Sequence, residues 1–576
     1  MIDLFNGDGP SYVPSEPGLP PVQPPNPTDE QRYALIKYEL ARANRLEDFN
    51  NIIELLDAPP DITTIASPGE FKNVKVAVIG GGEAGLTAAF ELRKLGFDIT
   101  VFEAEENRIG GRVYTYYFDK EKKYYGELGA MRIPVVHGAT WHYINLFNLN
   151  TRPFVQYNEN AYIYVKGIRV RNDPEGKGVM EKIYPEFDLT LWERNTPWPE
   201  LLNYALETPL LSMPPSIRKE ILKMLLKYSY PINYWDFYNI RQVLELMGLS
   251  QAAIDLISCI SPFVASFYYY SFMEMLHESY PLVFSFLYEI VGGMVNLPLS
   301  FYNSLINPNP KEYPDIPNEL LGKVTWKGGT WVDGMYQTED SSKVTLKYKN
   351  KRMSTYVYEN FDYVVCAIPF STLRNVEIIP DFSNRKMQAI RELDYSPSQK
   401  TIALCSERFW EMGRPNERII GGGSYSDLPI TSIWYPSDHA HNNSFSPNEP
   451  GVLLASYNFT LNATRVANAY KGIRFENIKE QVAKVHGISL EYLNSIIKDH
   501  VTFSWNEYPW TLGAFCYFRP EQKRIFSYAV TLPEYNNRVF FAGEHISASH
   551  GWQNAAIQTG MIAANDLAKV CKARKG

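Results

Sequence analysis

The sequence predicts an α/β fold, α+β over the whole chain, and the pattern between Val74 and Glu103 is the main reason. The segment VKVAVIG from Val74 to Gly80 is almost continuously apolar, as in a strand buried on both faces of a sheet. A helical period from Ala84 to Leu95 and a second strand from Asp98 to Glu103 follow it, which gives a strand-helix-strand unit. The remaining predicted elements are a mainly helical region at 198–295, strands at 344–348, 363–368 and 539–543, and a closing helix at 555–570.

The composition is that of a large globular protein. With 576 residues, the chain has room for roughly two to four packed units. Hydrophobic residues make up 45% and charged residues 21%, so wholesale disorder is excluded. Aromatic residues reach 14%, and they could form core or wall a pocket for a flat ligand. A net charge of −8, with no basic block beyond the tail at 569–575, predicts no nucleic-acid partner.

Cysteine usage and the N-terminal composition favour a reducing compartment. The five cysteines are odd in number and lack CxxC spacing, which predicts neither a disulfide framework nor a metal site. The N-terminal segment has acidic residues where a secretory signal has basic ones. The uncharged stretch 256–273 contains Pro262 and four serines, which favours buried helices over a membrane span. We therefore expect a cytoplasmic protein with no membrane partner.

The first 58 residues divide into two predicted segments. Residues 1–27 hold eight prolines, which predicts an extended, proline-rich arm. Thr28 and Gln31 fit a capping box, and apolar residues at helical spacing continue until Pro59. The sequence therefore predicts one N-terminal helix over 28–58.

Gly80, Gly82 and Gly85 match the pattern GxGxxG between the first strand and the first helix. Gly80 allows the tight turn, Gly82 lets the backbone approach a pyrophosphate, and Gly85 lets helix and strand pack closely. Glu103 ends the second strand, where a carboxylate can accept both ribose hydroxyls. Because the helix N-terminus then presents free amides to phosphates, this unit is predicted to be a Rossmann-like dinucleotide site.

Further segments carry a resemblance to a known family. They are EAEENRIGGRVYT (103–115), GAMRIP (129–134), YSPSQKTIALCSERFWE (395–411), VLLASYNF (452–459) and FAGEHISASHGWQNAAIQTG (541–560). Together they resemble the FAD-dependent flavin amine oxidase superfamily, and GAMRIP resembles the GxMRxP motif of its L-amino acid oxidase branch. The resemblance implies an FAD cofactor and a homodimer.

The same resemblance implies roles for individual residues. Lys400 would reach flavin N5 through a water, and Arg132 and Tyr457 would hold a substrate carboxylate. The Gly551 carbonyl would accept from the substrate amine, and Trp552 would flank the substrate beside the flavin. No metal is implied. The implied cofactor contacts are Gly80, Gly82, Glu83, Ala84, Gly85, Glu103, Ala104, Arg112 (at the phosphates), Gly129, Ala130, Met131, Arg132, Glu544, Gly551, Trp552, Gln553, Asn554, Ala555 and Ala556.

One departure from the family bears on how FAD is held. Monoamine oxidases attach FAD through a cysteine directly after a pair of small residues. Here Gly513 and Ala514 are followed by Phe515, and Cys516 comes one residue later. One residue of displacement on a strand points the side chain to the other face, so we predict non-covalent FAD.

The expected function is oxidative deamination of an L-amino acid by hydride transfer from Cα to FAD N5. With O2 and water as partners, the products would be a 2-oxo acid, ammonia and hydrogen peroxide. Three alternatives stay open. They are an L-amino acid 2-monooxygenase that yields an amide, a monoamine or polyamine oxidase, which the Arg132 motif disfavours, and a flavoprotein without turnover.

Side-chain preference is left open by the sequence. The segment 263–281 is rich in rings and holds Glu274 and Glu278. It could wall a pocket for aromatic substrates, supply an acid to a lysine or arginine pocket, or be helical core.

Three domains are expected from the order of the motifs. A discontinuous FAD-binding domain comprises 70–112, 288–395 and 525–572. A mixed-sheet substrate-binding domain comprises 113–165 and 396–524, and a helical domain at 166–287 guards access.

Overall fold

The structure is a computed structural model that describes residues 20–440, 442 and 446–575. Most of the predicted proline-rich arm, residues 1–19, lies outside the described residues. The rest of the arm packs on the body of the protein. The side-chain amide of Gln23 donates to the Leu287 carbonyl at 2.7 Å, and the Thr151 amide donates to the Asn26 side chain at 2.6 Å.

The strands are numbered in chain order. They are β1 (Lys75–Ile79), β2 (Asp98–Glu103), β3 (Thr115–Tyr117), β4 (Tyr125–Glu127), β5 (Ile133–Pro134), β6 (Thr151–Phe154), β7 (Tyr162–Val165), β8 (Ile168–Arg171), β9 (Leu287–Ile290), β10 (Val324–Gly328), β11 (Thr330–Gln337), β12 (Val344–Asn350), β13 (Val357–Phe361), β14 (Tyr363–Cys366), β15 (Glu377–Ile379), β16 (Asp394–Ser396), β17 (Ser398–Cys405), β18 (Gly423–Ser426), β19 (Ser432–Trp434), β20 (Gly451–Phe459), β21 (Ile497–Ser504), β22 (Phe515–Tyr517) and β23 (Val539–Phe541).

The α-helices are numbered in the same way. They are α1 (Asp29–Arg42), α2 (Phe49–Leu56), α3 (Glu83–Lys94), α4 (Gly138–Leu146), α5 (Lys177–Lys182), α6 (Leu191–Arg194), α7 (Trp198–Leu211), α8 (Pro215–Arg218), α9 (Tyr230–Asp236), α10 (Ile240–Leu246), α11 (Gln251–Ile260), α12 (Pro262–Ser266), α13 (Phe272–Ser279), α14 (Asn296–Ile306), α15 (Phe370–Leu373), α16 (Asn384–Glu392), α17 (Thr460–Ala467), α18 (Lys471–His486), α19 (Leu490–Ile496), α20 (Gln522–Thr531) and α21 (Gln553–Lys575).

A parallel sheet organises the part of the chain that holds the glycine motif. Its strand order is β10-β2-β1-β14-β23, and every neighbouring pair is parallel. The chain leaves β1 toward one edge and returns at β14 on the other side, so the strand order reverses between β1 and β14. In open α/β sheets a ligand binds at the carboxyl ends of the strands at such a point. The predicted α/β fold is confirmed.

A second, mixed sheet carries the motifs around Lys400 and Tyr457. Its order is β21-β17-β20-β19-β18-β7-β8, and all its pairs are antiparallel except β18 with β7. Lys400 in β17 and Tyr457 in β20 are register partners. Side chains at paired positions of neighbouring strands share one face of a sheet, so this register sets the two side chains beside each other. The smaller sheets are β13-β12-β11-β15, β5-β9-β6, β3-β4 and β16-β22.

The region from α5 to α13 is helical, as the periodicity predicts. The uncharged stretch 256–273 is divided among the end of α11, all of α12 and the start of α13, with a break before Pro262. Among the described residues, no helix has the length and apolar character that a membrane span requires. The three domain boundaries stay a prediction.

The predicted single helix over 28–58 is wrong, because the chain forms α1 and α2 with a turn between them. The capping box of Thr28 and Gln31 is confirmed at the start of α1. After α1, Asn44 takes a left-handed conformation with φ of 51°. The turn buries Arg45, whose guanidinium donates to the Tyr280 carbonyl at 3.0 Å. The Tyr280 carbonyl, distant in sequence, therefore stabilises the turn between α1 and α2, which helical spacing alone does not predict.

Candidate functional site

The glycine turn after β1 is built by close backbone contacts. A Cβ atom on Gly85 would lie 2.0 Å from the Gly80 carbonyl oxygen, so only glycine lets α3 approach β1 this closely. Gly80 has φ of 106°, and a Cβ there would lie 2.9 Å from the Ala367 oxygen, just after β14. At Gly82 the nearest atom would be 3.7 Å away, and this residue faces a cavity. The turn thus leaves open space at the end of the sheet.

Gly81 is a site residue that the motif did not single out. A Cβ atom there would meet the Trp326 ring at 2.6 Å and the Glu103 carboxylate at 2.8 Å. The Gly81 amide donates to Glu103 at 2.7 Å, and the Glu105 amide donates to the same carboxylate at 2.8 Å. Trp326 lies on β10, far along the chain, so only the strand order creates this constraint.

A cavity of about 290 Å³ extends from the glycine turn to Lys400 and Trp552. Its position at the carboxyl ends of β1 and β14 is where a dinucleotide fits this type of sheet. Met131 and Arg132 line an adjoining smaller cavity instead. The predicted cofactor residues that line the larger cavity are Gly80, Gly82, Glu83, Ala84, Glu103, Ala104, Arg112, Gly129, Ala130, Glu544, Gly551, Trp552, Gln553 and Ala556.

Gly85, Asn554 and Ala555 do not line either cavity. Gly85 acts through helix packing. The Asn554 side chain accepts from the Thr140 amide at 2.9 Å and donates to the Leu56 carbonyl at 3.0 Å, so it ties α21 to α4 and α2. These three residues shape the site without facing the space that a cofactor would occupy.

Other lining residues were missed by sequence reasoning. Val332 on β11, Ile368 after β14, and the rings of Trp505, Tyr508 and Trp510 all face the larger cavity. No local motif marks them, because each reaches the cavity through the packing of strands that are distant in sequence.

The Glu544 carboxylate joins several segments of the site. It accepts from Arg112 at 2.6 Å, from the Gly551 amide at 3.1 Å and from the Cys516 amide at 3.2 Å. Arg112 also donates to the Ala514 carbonyl at 3.1 Å. Glu544 was expected to face the cofactor, and in this arrangement it also fixes the positions of Arg112 and Gly551.

Arg132 is buried in the wall of the smaller cavity, which measures about 80 Å³. Its guanidinium lies 4.2 Å from the Trp434 ring centre and 5.4 Å from that of Phe154. Among the described residues, its Nε and Nη2 atoms have no hydrogen-bond partner. Burial lowers its pKa, whereas Tyr457, Tyr425 and Glu278 act in the opposite direction. Because a buried cation with free donors is costly, the arrangement fits an anionic ligand such as a carboxylate.

Lys400 lies beside Tyr457, as their register requires. Its ammonium is 4.4 Å from the Tyr457 ring centre and donates to the Gly129 carbonyl at 2.6 Å. Burial lowers the pKa of Lys400, and the Glu127 carboxylate opposes this. Burial also raises the pKa of Tyr457 to about 12, so its hydroxyl stays protonated. Lys400 is therefore a buried amine facing the larger cavity rather than a surface lysine.

The two cavities meet at the end of the closing motif. Gly551 and Trp552 line both of them, together with Tyr457 and Phe515. Gly551 has φ of 79°, and the Trp552 ring packs edge-on against His137 at 5.1 Å. The two cavities therefore adjoin each other at these residues.

Cys516 is fully buried on β22, whereas Phe515 on the opposite face lines both cavities. All five cysteines are free. Within the described ranges, no group of three metal-ligating side chains is present. The glycine turn, Glu103, Arg112 and the long cavity fit a flavin dinucleotide.

Glu83 gives the site a pH dependence. It is the first residue of α3, lines the larger cavity and accepts from the Gln553 side chain at 2.6 Å. Burial raises its pKa to about 8, against the opposing effects of Gln553 and Arg112. The folded protein thus holds a proton that the unfolded chain releases at lower pH. The contribution of protonated Glu83 to stability is complete below the pKa of this carboxyl in the unfolded chain. It is lost as the pH rises through its pKa in the folded protein.

Glu83→Gln removes this titration. Between about pH 6 and about pH 9, the free energy of unfolding of the flavin-free wild type should fall by about 2 to 3 kcal/mol more than that of the variant. Urea unfolding at the two pH values measures the difference. Glu121→Gln, at an exposed turn between β3 and β4, is the matched control and should follow the wild type. Parallel curves for wild type and Glu83→Gln would contradict the assignment.

Comparison with known proteins agrees with this geometry. Residues 84–568 match the family of flavin-containing amine oxidoreductases. The L-amino-acid oxidase of Bothrops atrox is 30% identical over 540 residues, which cover 92% of this chain and 94% of that protein. The L-amino-acid oxidase of Crotalus adamanteus is 30% identical over 534 residues, with 91% of each chain covered.

Solved structures share the fold. Putrescine oxidase bound to putrescine has a TM-score of 0.65 at 17% identity, and the match covers 86% of this chain and 98% of that one. Cyclohexylamine oxidase from Brevibacterium oxydans has a TM-score of 0.62 at 17% identity, with 87% and 99% covered. The chain therefore belongs to the flavin-containing amine oxidoreductase family and is an FAD-dependent oxidoreductase.

Proposed function

We propose that this protein is an L-amino acid oxidase that converts an L-amino acid to a 2-oxo acid, ammonia and hydrogen peroxide. The observation that carries the proposal is the buried Arg132 guanidinium, which has unpaired donors in a cavity that meets the cofactor cavity. A plain amine would leave this charge unpaired, whereas an amino acid brings the carboxylate that satisfies it. The named relatives are L-amino-acid oxidases over more than nine-tenths of their length, which supports the same assignment.

The chain's own residues would orient the substrate. Arg132 would hold the carboxylate, and the protonated Tyr457 hydroxyl would add a contact, since both residues line the same cavity. The Gly551 backbone is held by Glu544, and Trp552 closes the cavity beside it. When bound, FAD would supply the redox chemistry, as the acceptor for the Cα hydride and the source of electrons for O2.

Lys400 would act after the oxidation. With its pKa lowered by burial, part of the population is a neutral amine that can hold a water by hydrogen bonding. Water adds to the imino acid carbon, and the resulting aminol releases ammonia to give the 2-oxo acid.

Product analysis tests this function. The purified yellow holoenzyme should lose its flavin colour on anaerobic addition of mixed L-amino acids. In air it should form hydrogen peroxide, 2-oxo acid and ammonia in equal amounts. An amide product would instead indicate an amino acid 2-monooxygenase. Bleaching by amines only would indicate an amine oxidase, and no bleaching by either would indicate a flavoprotein without turnover.

Arg132→Met tests the carboxylate contact. We expect kcat/KM for amino acids to fall by about 30-fold or more, since loss of a buried charge contact costs about 2 to 5 kcal/mol. The matched control is Arg152→Met, because Arg152 pairs with Glu289 at 2.6 Å and lines neither cavity. An alkylamine without a carboxylate should not lose rate in Arg132→Met. A small, equal change for both substrates would contradict the role of Arg132.

We also propose that FAD is bound non-covalently, because Cys516 is buried and does not line the larger cavity. Acid precipitation should release all of the flavin into the supernatant. Cys516→Ala should keep the flavin content of the wild type, since this thiol only fills core space. Flavin that stays with the precipitated polypeptide would contradict the proposal.

Assembly and compartment stay proposals. The family resemblance suggests a homodimer, and the five free cysteines support a reducing, cytoplasmic location.

A further inference from the structure

The smaller cavity contains an acid as well as Arg132. Glu278 lines it, and its side chain is almost fully buried. The Glu278 carboxylate raises the pKa of Arg132, against the effect of burial, and it also raises the pKa of Tyr457. Its charge therefore acts on both residues across the cavity. The two charges are too far apart to form an ion pair, because no described lysine or arginine lies within 4.0 Å of Glu278.

The position of Glu278 is unfavourable for the fold alone. It lies in the last turn of α13, where the helix dipole presents partial negative charge to a carboxylate. Burial raises its pKa, and the neighbouring Glu274 acts in the same direction. The neighbouring His277, the hydrogen bond from the Tyr517 hydroxyl at 3.1 Å and the Trp552 indole act in the opposite direction, yet the pKa stays raised, so they compensate only part of the cost of burial. An acid at this point is therefore poorly explained as packing.

Aromatic rings line the same cavity as Glu278. Consecutive ring pairs lie 5.0 to 5.9 Å apart from Trp552 through Phe284, Phe263, Phe459 and Phe515 to Tyr517. The Trp552 indole N–H has no hydrogen-bond partner within 3.5 Å among the described residues, but it acts on Glu278 as a longer-range donor and lowers the pKa of that carboxyl. Ring faces and one carboxylate form the usual recognition site for an organic cation.

We propose that Glu278 is a specificity-determining residue that selects L-amino acids whose side chain carries a positive charge, such as lysine, ornithine and arginine. The proposal rests on the oxidase function proposed above. Arg132 pairs with the substrate carboxylate, and Glu278 pairs with the side-chain cation among the rings. A neutral apolar side chain would cover Glu278 without pairing its charge, so it binds less well.

L-Norleucine tests the charge, because it has the carbon chain of L-lysine without the ε-ammonium. In the wild-type holoenzyme, kcat/KM for L-lysine should exceed that for L-norleucine by about 30-fold or more. In Glu278→Gln this ratio should fall close to one, through loss of lysine oxidation with norleucine oxidation kept. Glu274→Gln is the matched control. Glu274 lies one turn earlier on α13, is equally buried and bonds His550 at 3.0 Å, but it does not line the cavity. It should keep the wild-type ratio.

The outcomes separate this proposal from the oxidase function. Oxidation of norleucine as fast as lysine by the wild type overturns the specificity proposal alone. An equal loss for both substrates in Glu278→Gln also overturns it, and indicates a role at the shared α-amino group or in folding. Absence of oxidation with every amino acid overturns both proposals.

A measurement on the wild type alone covers a variant that fails to fold. 6-Aminohexanoate and hexanoate differ only in the terminal ammonium and lack an α-amine, so they report binding without turnover. 6-Aminohexanoate should perturb the flavin spectrum at a concentration about 10-fold lower than hexanoate. Equal affinity for the two compounds would overturn the proposal.

Discussion

The interactions of the buried Glu544 carboxylate hold the two halves of the site together. It binds Arg112 at the larger cavity and the amides of Gly551 and Cys516 beside the smaller cavity. Arg112 lies 432 residues before Glu544 in the chain, and a charged acceptor makes each of these hydrogen bonds stronger than a neutral acceptor would. The position of Gly551, and with it the place where both cavities meet, depends on this carboxylate.

Buried charge is the main cost of this arrangement and the source of its selectivity. Arg132 and Glu278 are both removed from water, and among the described residues each lines the smaller cavity instead of forming an ion pair within 4.0 Å. A buried charge without a close partner destabilises a protein by several kcal/mol, on the order of its whole stability margin. A bound ligand of opposite charge offsets this cost, so the cavity favours ligands that pair with these side chains.

Sequence reasoning worked best where a local constraint acts. The turn at Gly80 and Gly85 follows from contacts within one strand-helix-strand unit, and the capping box at Thr28 follows from a single helix end. It failed where a distant segment decides. Trp326 restricts Gly81, Trp434 lies under Arg132, and the Tyr280 carbonyl holds the turn that divides the N-terminal helix.

The sequence by itself determined the α/β class, the flavin family and the residue types available for binding, because motifs and periodicity are local properties. The tertiary structure decided which of these residues share a cavity. The acid at Glu278 shows the difference. Helical spacing favours core and leaves a pocket open, and only the packing of α13 against β22 and the closing motif brings Glu278 to the cavity of Arg132. Local sequence allows either side of a helix to face a cavity, and the packing of distant segments decides which side does.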